Sequence, residues 1–277
     1  MKEFTLQKYR DLGAILTDSF VYIRIHYKTL GKGLLFFVLP FYLVSGALVG
    51  NAYSSIFSAA FNDPENMDMM IGGDFWLGIL LLALASGSLF TVTLKHMQLA
   101  RNSDTIETMD LLEDFGRNFL TLLGLYFLVI FAVGFSFLLL IIPGIYVGIK
   151  VFVSPTVAIL EKRNPFEAIS RSWDLVEGHW WFTFAVYLVM YFITTFMSYV
   201  LIIPFSIFLA FMSASGVDAA SGGLGTSMGI FYGLLIVVAS LFSVLLLIAM
   251  SLHYFNLVER KEGKGLRSQI EELAQGI

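Results

Sequence analysis

Long runs without a single Asp, Glu, Lys or Arg constrain this chain more than any other feature. They cover 33–62, 75–94, 118–149, 151–160, 178–217 and 219–258. A helix rises about 1.5 Å per residue, so roughly 20 apolar residues cross the hydrocarbon core of a bilayer. Only 14% of the residues are charged, against about 25% in a soluble domain. The chain is therefore predicted to be an all-α, polytopic membrane protein, which excludes an ordinary soluble enzyme, a disordered chain and a basic nucleic-acid binder.

Six transmembrane helices account for these runs. Because Pro and Gly together favour a turn, Pro143-Gly144 is predicted to divide the region 118–160 into two passes. A segment rich in Gly and Ser, 213–229, is predicted to link the last two helices. We expect a single integral membrane domain over 1–277 that ends in a tail at 259–277. The predicted helices lie near 34–56, 75–96, 118–142, 144–160, 180–203 and 228–254.

The basic residues fall in alternate connections. Segments 1–32, 95–117, 161–177 and 259–277 hold 16 of the 17 Lys and Arg residues. The positive-inside rule places such segments in the cytoplasm, so both termini are predicted to be cytoplasmic. All four Trp residues lie at predicted membrane edges, where amphipathic rings are enriched.

A polar segment with helical periodicity precedes each predicted pair of membrane helices. These segments, near 5–30, 103–117 and 165–178, are predicted to form amphipathic helices at the cytoplasmic interface. We consider three repeats, 1–97, 98–160 and 161–258, each an interfacial helix followed by a transmembrane hairpin. The alternative is that any short loop between membrane helices looks amphipathic, because one side of it meets lipid headgroups.

The third of these segments carries clear helix-start signals. Asn164 is a candidate N-cap, Pro165 suits the first helical position, and Glu167 lies near the positive end of the helix dipole. An apolar stripe follows at spacings of three and four residues and is predicted to hold the helix to the interface. Its members are Phe166, Ile169, Trp173 and Val176.

Catalytic and metal-binding patterns are missing from the sequence. The chain has no Cys, no phosphate-binding loop, no His-Glu-x-x-His and no Gly-x-Ser-x-Gly. We therefore expect neither an enzyme nor a cofactor or metal centre. Four histidines sit at predicted membrane edges, where a shared metal site or separate hydrogen bonds to headgroups are the two interpretations. They are His26, His96, His179 and His253.

Lys150 is the one charged residue in the region 118–160, which is predicted to form two membrane passes. An ammonium in the hydrocarbon costs on the order of 2.5–3.5 kcal/mol on insertion scales, so we expect something to compensate it. Backbone carbonyls freed by Pro155, cavity water and an anionic ligand such as a lipid phosphate are the candidates. Alternatively, the long stem reaches outward to the headgroups. The candidate lipid-contact residues are Lys150, Tyr146, Ser154 and Pro155.

Segment 142–181 resembles the membrane-domain family named after the membrane region beside some bacterial glycerophosphodiester phosphodiesterases. The residues that carry the resemblance are Pro143, Gly144, Lys150, Pro155, Glu161, Glu167, Ala168, Ser172, Trp173, Gly178, Trp180 and Trp181. The resemblance implies a six-helix protein of the bacterial cytoplasmic membrane. It does not imply phosphodiesterase activity, because the soluble domain that performs that reaction has no counterpart in this sequence.

Two functions remain open from the sequence. The first is handling or binding of lipid or another amphiphile, as a permease or flippase-like subunit. The second is a non-catalytic structural or assembly role beside other membrane proteins. The expected partners are membrane lipids, with another membrane protein or a second copy of the chain as further possibilities and no nucleic acid.

Overall fold

The computed structural model describes residues 4–62, 72–102, 106–214 and 223–263. Within these ranges the regular structure is helical, as predicted, and a short 3₁₀ helix, Thr108–Leu112, adds to the α-helices. The helices are α1 (Leu12–Phe37), α2 (Leu39–Asn62), α3 (Gly73–Asn102), α4 (Phe115–Leu139), α5 (Ile141–Lys150), α6 (Ser154–Leu160), α7 (Pro165–Val176), α8 (Trp180–Ala214), α9 (Gly223–Leu241) and α10 (Ser243–Glu262).

Helix length and composition support a polytopic membrane protein. In the described part of the chain, five segments are long and apolar enough to span a bilayer, and a bent pair of helices brings the number to six. The bent pair is Leu12–Phe37 with Leu39–Tyr53, and the other spans are Phe75–Arg101, Phe115–Leu139, Ile141–Leu160, Trp180–Met212 and Ser227–Glu262. The prediction of six membrane passes agrees with the larger of these two numbers.

The boundary between the first interfacial segment and the first membrane pass lies elsewhere than predicted. α1 continues beyond the expected interfacial segment to Phe37, and the two helices meet at an angle of 51°. Pro40 has no N–H for the carbonyl of Phe36, four residues earlier, so the regular hydrogen-bond ladder is interrupted here. The boundary therefore follows the proline and not the last charge at Lys32.

The break between the third and fourth passes also lies elsewhere than predicted. Leu140 is extended, with φ −167° and ψ 157°, and separates α4 from α5. Pro143 and Gly144 lie inside α5 and do not form the turn. The first turn of a helix has unpaired N–H groups in any case, so it accommodates a proline. Gly144 is required by packing, because a Cβ atom there would collide with the ring of Phe137.

Of the three predicted interfacial segments, the third is confirmed as a helix by α7. The side chain of Asn164 accepts the N–H of Glu167 at 3.0 Å, and Pro165 begins the helix. In the described part of the middle segment, 106–117, only the 3₁₀ helix precedes α4, so the prediction of a full amphipathic helix was wrong over these residues. Asp114, with φ 58°, interrupts the helical path immediately before α4.

The packed face of α7 is rotated from the predicted stripe. Ala168, Ser172, Leu175 and Val176 are buried, whereas Phe166 is 71% exposed. An apolar period of 3.6 residues does not separate a side that faces protein from a side that faces lipid. Phe166 therefore does not pack α7 onto the protein, and its place at the membrane interface stays a prediction.

The chain forms two compact units. Unit 1 comprises 1–32, 90–192 and 244–277, and unit 2 comprises 33–89 and 193–243. The predicted repeat 98–160 falls inside unit 1, while the other two predicted repeats contribute to both units. The repeats stay a prediction.

Three helical segments form the centre of unit 1. Residues 91–98 of α3, all of α6 and residues 247–258 of α10 are buried at every position. Gln98 donates to the carbonyl of Ile159 at 2.5 Å, and the hydroxyls of Thr156 and Ser251 lie 3.4 Å apart. Hydrogen bonds from polar side chains thus link α3 to α6 and α6 to α10.

Glycines let α2 and α9 approach closely in unit 2. A Cβ atom on Gly233 would collide with the carbonyl oxygen of Gly46, and one on Gly50 would lie 2.5 Å from the carbonyl oxygen of Gly229. Small residues at a helix interface are typical of membrane helices, whose association depends on close van der Waals packing.

Candidate functional site

Lys150 is the last residue of α5 and is only 3% exposed. Its Nζ atom donates a long hydrogen bond, 3.4 Å, to the carbonyl oxygen of Trp173 in the last turn of α7. It also lies 5.2 Å from the centre of the Trp173 ring and 5.9 Å from the centre of the Tyr146 ring. We call this group of Lys150, Tyr146 and Trp173 the Lys150 corner.

Local sequence explains why these groups meet. Tyr146 is four residues before Lys150 on α5, so both side chains lie on one face of that helix. Ser172 of α7 donates its hydroxyl to the carbonyl of Lys150 at 2.8 Å and fixes α7 against the end of α5. Trp173 follows Ser172 directly, and this contact brings its ring and carbonyl to the ammonium.

The charge of Lys150 is compensated by helix ends and by aromatic rings. The C-terminal end of a helix carries a partial negative charge, and Lys150 lies at such an end of α5 and next to that of α7. Aromatic faces attract a cation within about 6 Å. Among the described residues, none of the ion pairs involves Lys150, so no carboxylate balances it there.

The four candidate lipid-contact residues do not all meet. Lys150 and Tyr146 belong to the corner. Ser154 is buried and donates to the carbonyl of Val151 at 2.6 Å, and Pro155 lies in the first turn of α6. These two residues shape the break between α5 and α6. The carbonyl that Lys150 uses is that of Trp173 and not one freed by Pro155.

An aromatic layer covers the outer side of the corner. Trp180 stacks on Tyr146 with ring centres 5.9 Å apart and donates its indole N–H to the Tyr146 carbonyl at 3.2 Å. Tyr146 is 44% exposed and Trp181 is 77% exposed. The enrichment of tryptophan at predicted membrane edges was the sequence signal for this layer, but its meeting with Lys150 was not predicted.

Glu161, a second residue of the family-like motif, organises an ion-pair cluster. Its carboxylate accepts hydrogen bonds from the Tyr254 hydroxyl at 2.8 Å, from Arg163 at 2.6 Å and from Arg171 at 3.3 Å. Arg171 also pairs with Glu262 at the end of α10. The cluster therefore joins the α6–α7 connection and α7 to α10.

The pKa of Glu161 reflects these contacts. Burial alone would raise it, but the hydrogen bonds from Tyr254 and Arg163 and the charges of Arg171 and Arg163 lower the pKa below its ordinary value. The carboxylate is consequently held in its charged form by its partners.

The other motif residues have structural roles at the ends of α7. Pro165 and Glu167 lie in its first turn, where Glu167 complements the helix dipole. Gly178 follows the helix with φ +79°, a conformation that side chains disfavour. It turns the chain from α7 into α8.

Two of the four histidines form hydrogen bonds with hydroxyl groups of the protein, and His26 lies against one of them, His96, with ring centres 5.1 Å apart. His96 contacts the Tyr22 hydroxyl at 2.6 Å and the Thr29 hydroxyl at 3.0 Å, while His253 contacts the Thr183 hydroxyl at 2.9 Å. Across the described residues, no group of three or more His, Asp or Glu side chains is placed to hold a metal ion.

Comparison of the chain with protein-family models, curated proteins and solved structures finds no match. The likeness of 142–181 to the phosphodiesterase-associated membrane family therefore stays a prediction. Helix length and hydropathy define the class to which the chain belongs, that of multi-pass integral membrane proteins.

Proposed function

We propose that the protein binds anionic lipid at the Lys150 corner. The observation that carries the proposal is a buried ammonium with one hydrogen bond of 3.4 Å and no carboxylate partner among the described residues. An ammonium has three N–H donors, and a helix dipole or an aromatic face accepts none of them in the way an oxygen does. A phosphate oxygen would accept the remaining donors and balance the charge.

The surroundings favour a lipid phosphate over a free ion. Tyr146 stands beside Nζ and is itself 44% exposed, so the corner lies next to the protein surface. Trp180 and Trp181 are of the residue type that membrane proteins place at headgroup depth. Acyl chains would lie against the exposed apolar residues Ile141, Ile142 and Ile145 of α5.

The same proposal extends to the setting of the protein. Segregation of the basic residues supports cytoplasmic termini, and the resemblance of 142–181 supports a bacterial cytoplasmic membrane. We propose a non-catalytic role in lipid handling, as a subunit of permease or flippase type. We also propose that the chain consists of the three predicted repeats. The last helices of the three predicted repeats support this arrangement. They are α3, α6 and α10, and each contributes a fully buried segment.

Native mass spectrometry of the purified protein in mild detergent tests lipid binding. We expect the wild type to retain an anionic phospholipid, Lys150→Met to lose it with the fold intact, and Lys150→Arg to retain part of it. Lys162→Met is the matched control, because it removes an exposed lysine twelve residues further along the chain. Equal lipid retention by the wild type and Lys150→Met would contradict the proposal.

A structural or assembly role is the second candidate, and a different observation favours it. Two aromatic rings and two helix C-termini already surround Nζ, which together stabilise a cation without any ligand. In that case Lys150→Met leaves lipid retention unchanged, and the purified protein captures a stoichiometric membrane partner or a second copy of itself.

A further inference from the structure

Three unpaired cations follow one side of α1. Arg24, Lys28 and Lys32 are exposed and recur every four residues, so they form a stripe about 12 Å long on one helix face. None of the three takes part in an ion pair within the described residues, and the Nζ atom of Lys28 lies 5.8 Å from the centre of the Tyr27 ring. We call these three residues the basic stripe of α1.

Apolar side chains flank the basic stripe on both sides. At about 100° per residue, Phe20 and Tyr27 project to one side of it and Ile25 to the other. These three side chains are 48%, 59% and 50% exposed. The opposite side of α1 packs on the protein through Ile15, Tyr22 and Leu30, which are at most 3% exposed. The stripe therefore occupies the middle of the free face of the helix.

The apolar residues that follow Lys32 indicate how deep the basic stripe lies in the membrane. Lys32 is the last charge before the uncharged run 33–62, and the next exposed residues, Leu35 and Phe36, are large and apolar. Side chains that enter hydrocarbon thus begin within one turn of the last cation. This order places the three cations in the headgroup layer, directly above the acyl chains.

We propose that the basic stripe of α1 is a docking surface for anionic phospholipid headgroups of the adjoining leaflet. Like charges spaced i, i+4 repel each other on a helix, and phosphate groups between them remove that repulsion. The flanking Phe20, Ile25 and Tyr27 insert beside the headgroups, as apolar side chains do in interfacial helices. Each basic residue near an anionic surface contributes about 1 kcal/mol, or about a fivefold preference.

The cysteine-free chain allows a direct measurement. Gly31 lies on the same face, and a side chain there would meet no atom within 4 Å, so Gly31→Cys carries a fluorophore without disturbing packing. The labelled protein is reconstituted into equimolar phosphatidylglycerol and phosphatidylcholine, with one lipid or the other brominated. We expect stronger quenching by brominated phosphatidylglycerol, and loss of this excess in about 1 M salt, where the Debye length is about 3 Å.

Two variants in the labelled background decide the matter. Arg24→Gln/Lys28→Gln/Lys32→Gln should quench equally with both lipids, whereas Arg24→Lys/Lys28→Arg/Lys32→Arg, which keeps the charges, should keep the excess. If the neutral triple variant does not fold, Lys28→Gln alone should reduce the excess. Equal quenching before any substitution, or an excess that survives neutralisation, would overturn the proposal. Lys150→Met should leave the excess intact, which separates this surface from the Lys150 corner.

Discussion

Glu161 illustrates how one residue joins distant parts of unit 1. Its two carboxylate oxygens serve Arg163 and Arg171 nearby in the sequence and Tyr254 on α10. Its side chain is 16% exposed, so solvent screens these contacts only partly. The charge of Glu161 therefore contributes to the stability of the packed α6, α7 and α10.

Glu161→Gln should lower the free energy of unfolding by about 1–3 kcal/mol at neutral pH, because charge-assisted hydrogen bonds are lost. The partners of Glu161 lower its pKa from an ordinary value of 4.5. The stabilisation is therefore complete above about pH 4.5 and is lost as the pH falls through the folded-state pKa. Chemical unfolding in detergent from pH 7 downward measures both effects.

The variant Glu167→Gln is the control, since Glu167 is exposed in the first turn of α7. The difference in stability between wild type and Glu161→Gln should shrink as the pH falls below about 4.5, while Glu167→Gln follows the wild type more closely. A Glu161→Gln protein as stable as the wild type at neutral pH would show that the cluster contributes little.

Helix packing in unit 2 depends on glycine at the contact between α2 and α9. Backbone atoms of Gly46 and Gly50 lie against Gly233, which leaves no room for a methyl group. Interiors packed this closely do not absorb an added carbon without a shift of the backbone.

Gly233→Ala should destabilise the protein by about 1–3 kcal/mol through overpacking. Gly134→Ala in α4 is the matched control, because a Cβ atom there would meet nothing within 4 Å. Thermal unfolding of both variants in the same detergent gives the comparison. The close approach of α2 and α9 would be contradicted if the two substitutions had the same effect.

On the scale of the whole molecule, the segregation of basic residues predicts which connections lie on each side of the membrane. Segment 51–74 contains acidic residues but no Lys or Arg, whereas 95–117 contains three basic residues. The positive-inside rule therefore assigns these two connections to opposite sides.

Single cysteines test this topology in a chain that has none. Gly72 and Gly116 are exposed, and a side chain at either position would meet nothing within 4 Å. An impermeant thiol reagent should label Gly72→Cys in intact spheroplasts and Gly116→Cys only after lysis. Labelling of Gly116→Cys in sealed spheroplasts would reverse the orientation, and labelling of both would contradict the number of passes between them.

The membrane class and the positions of the passes could be predicted from the sequence, because bilayer thickness fixes the length of an apolar run and that length is a local property. The start of α7 was predicted for a similar reason, since the cap at Asn164 and the proline at 165 act within one turn. Bends were harder to locate. The chain breaks at Leu140 and not at Pro143-Gly144, because Pro143 fits in the first turn of α5.

Only the tertiary structure decided which side chains meet. Lys150 was recognisable as a misplaced charge, but Trp173, 23 residues away, supplies the carbonyl that it contacts. Glu161 meets Tyr254 across 93 residues of sequence, and Gly46 of the first predicted repeat meets Gly233 of the third. Hydropathy is a local property and is enough to predict that a segment lies in the membrane. The partner of each residue depends on how helices distant in the sequence pack together, and no local sequence pattern determines this packing.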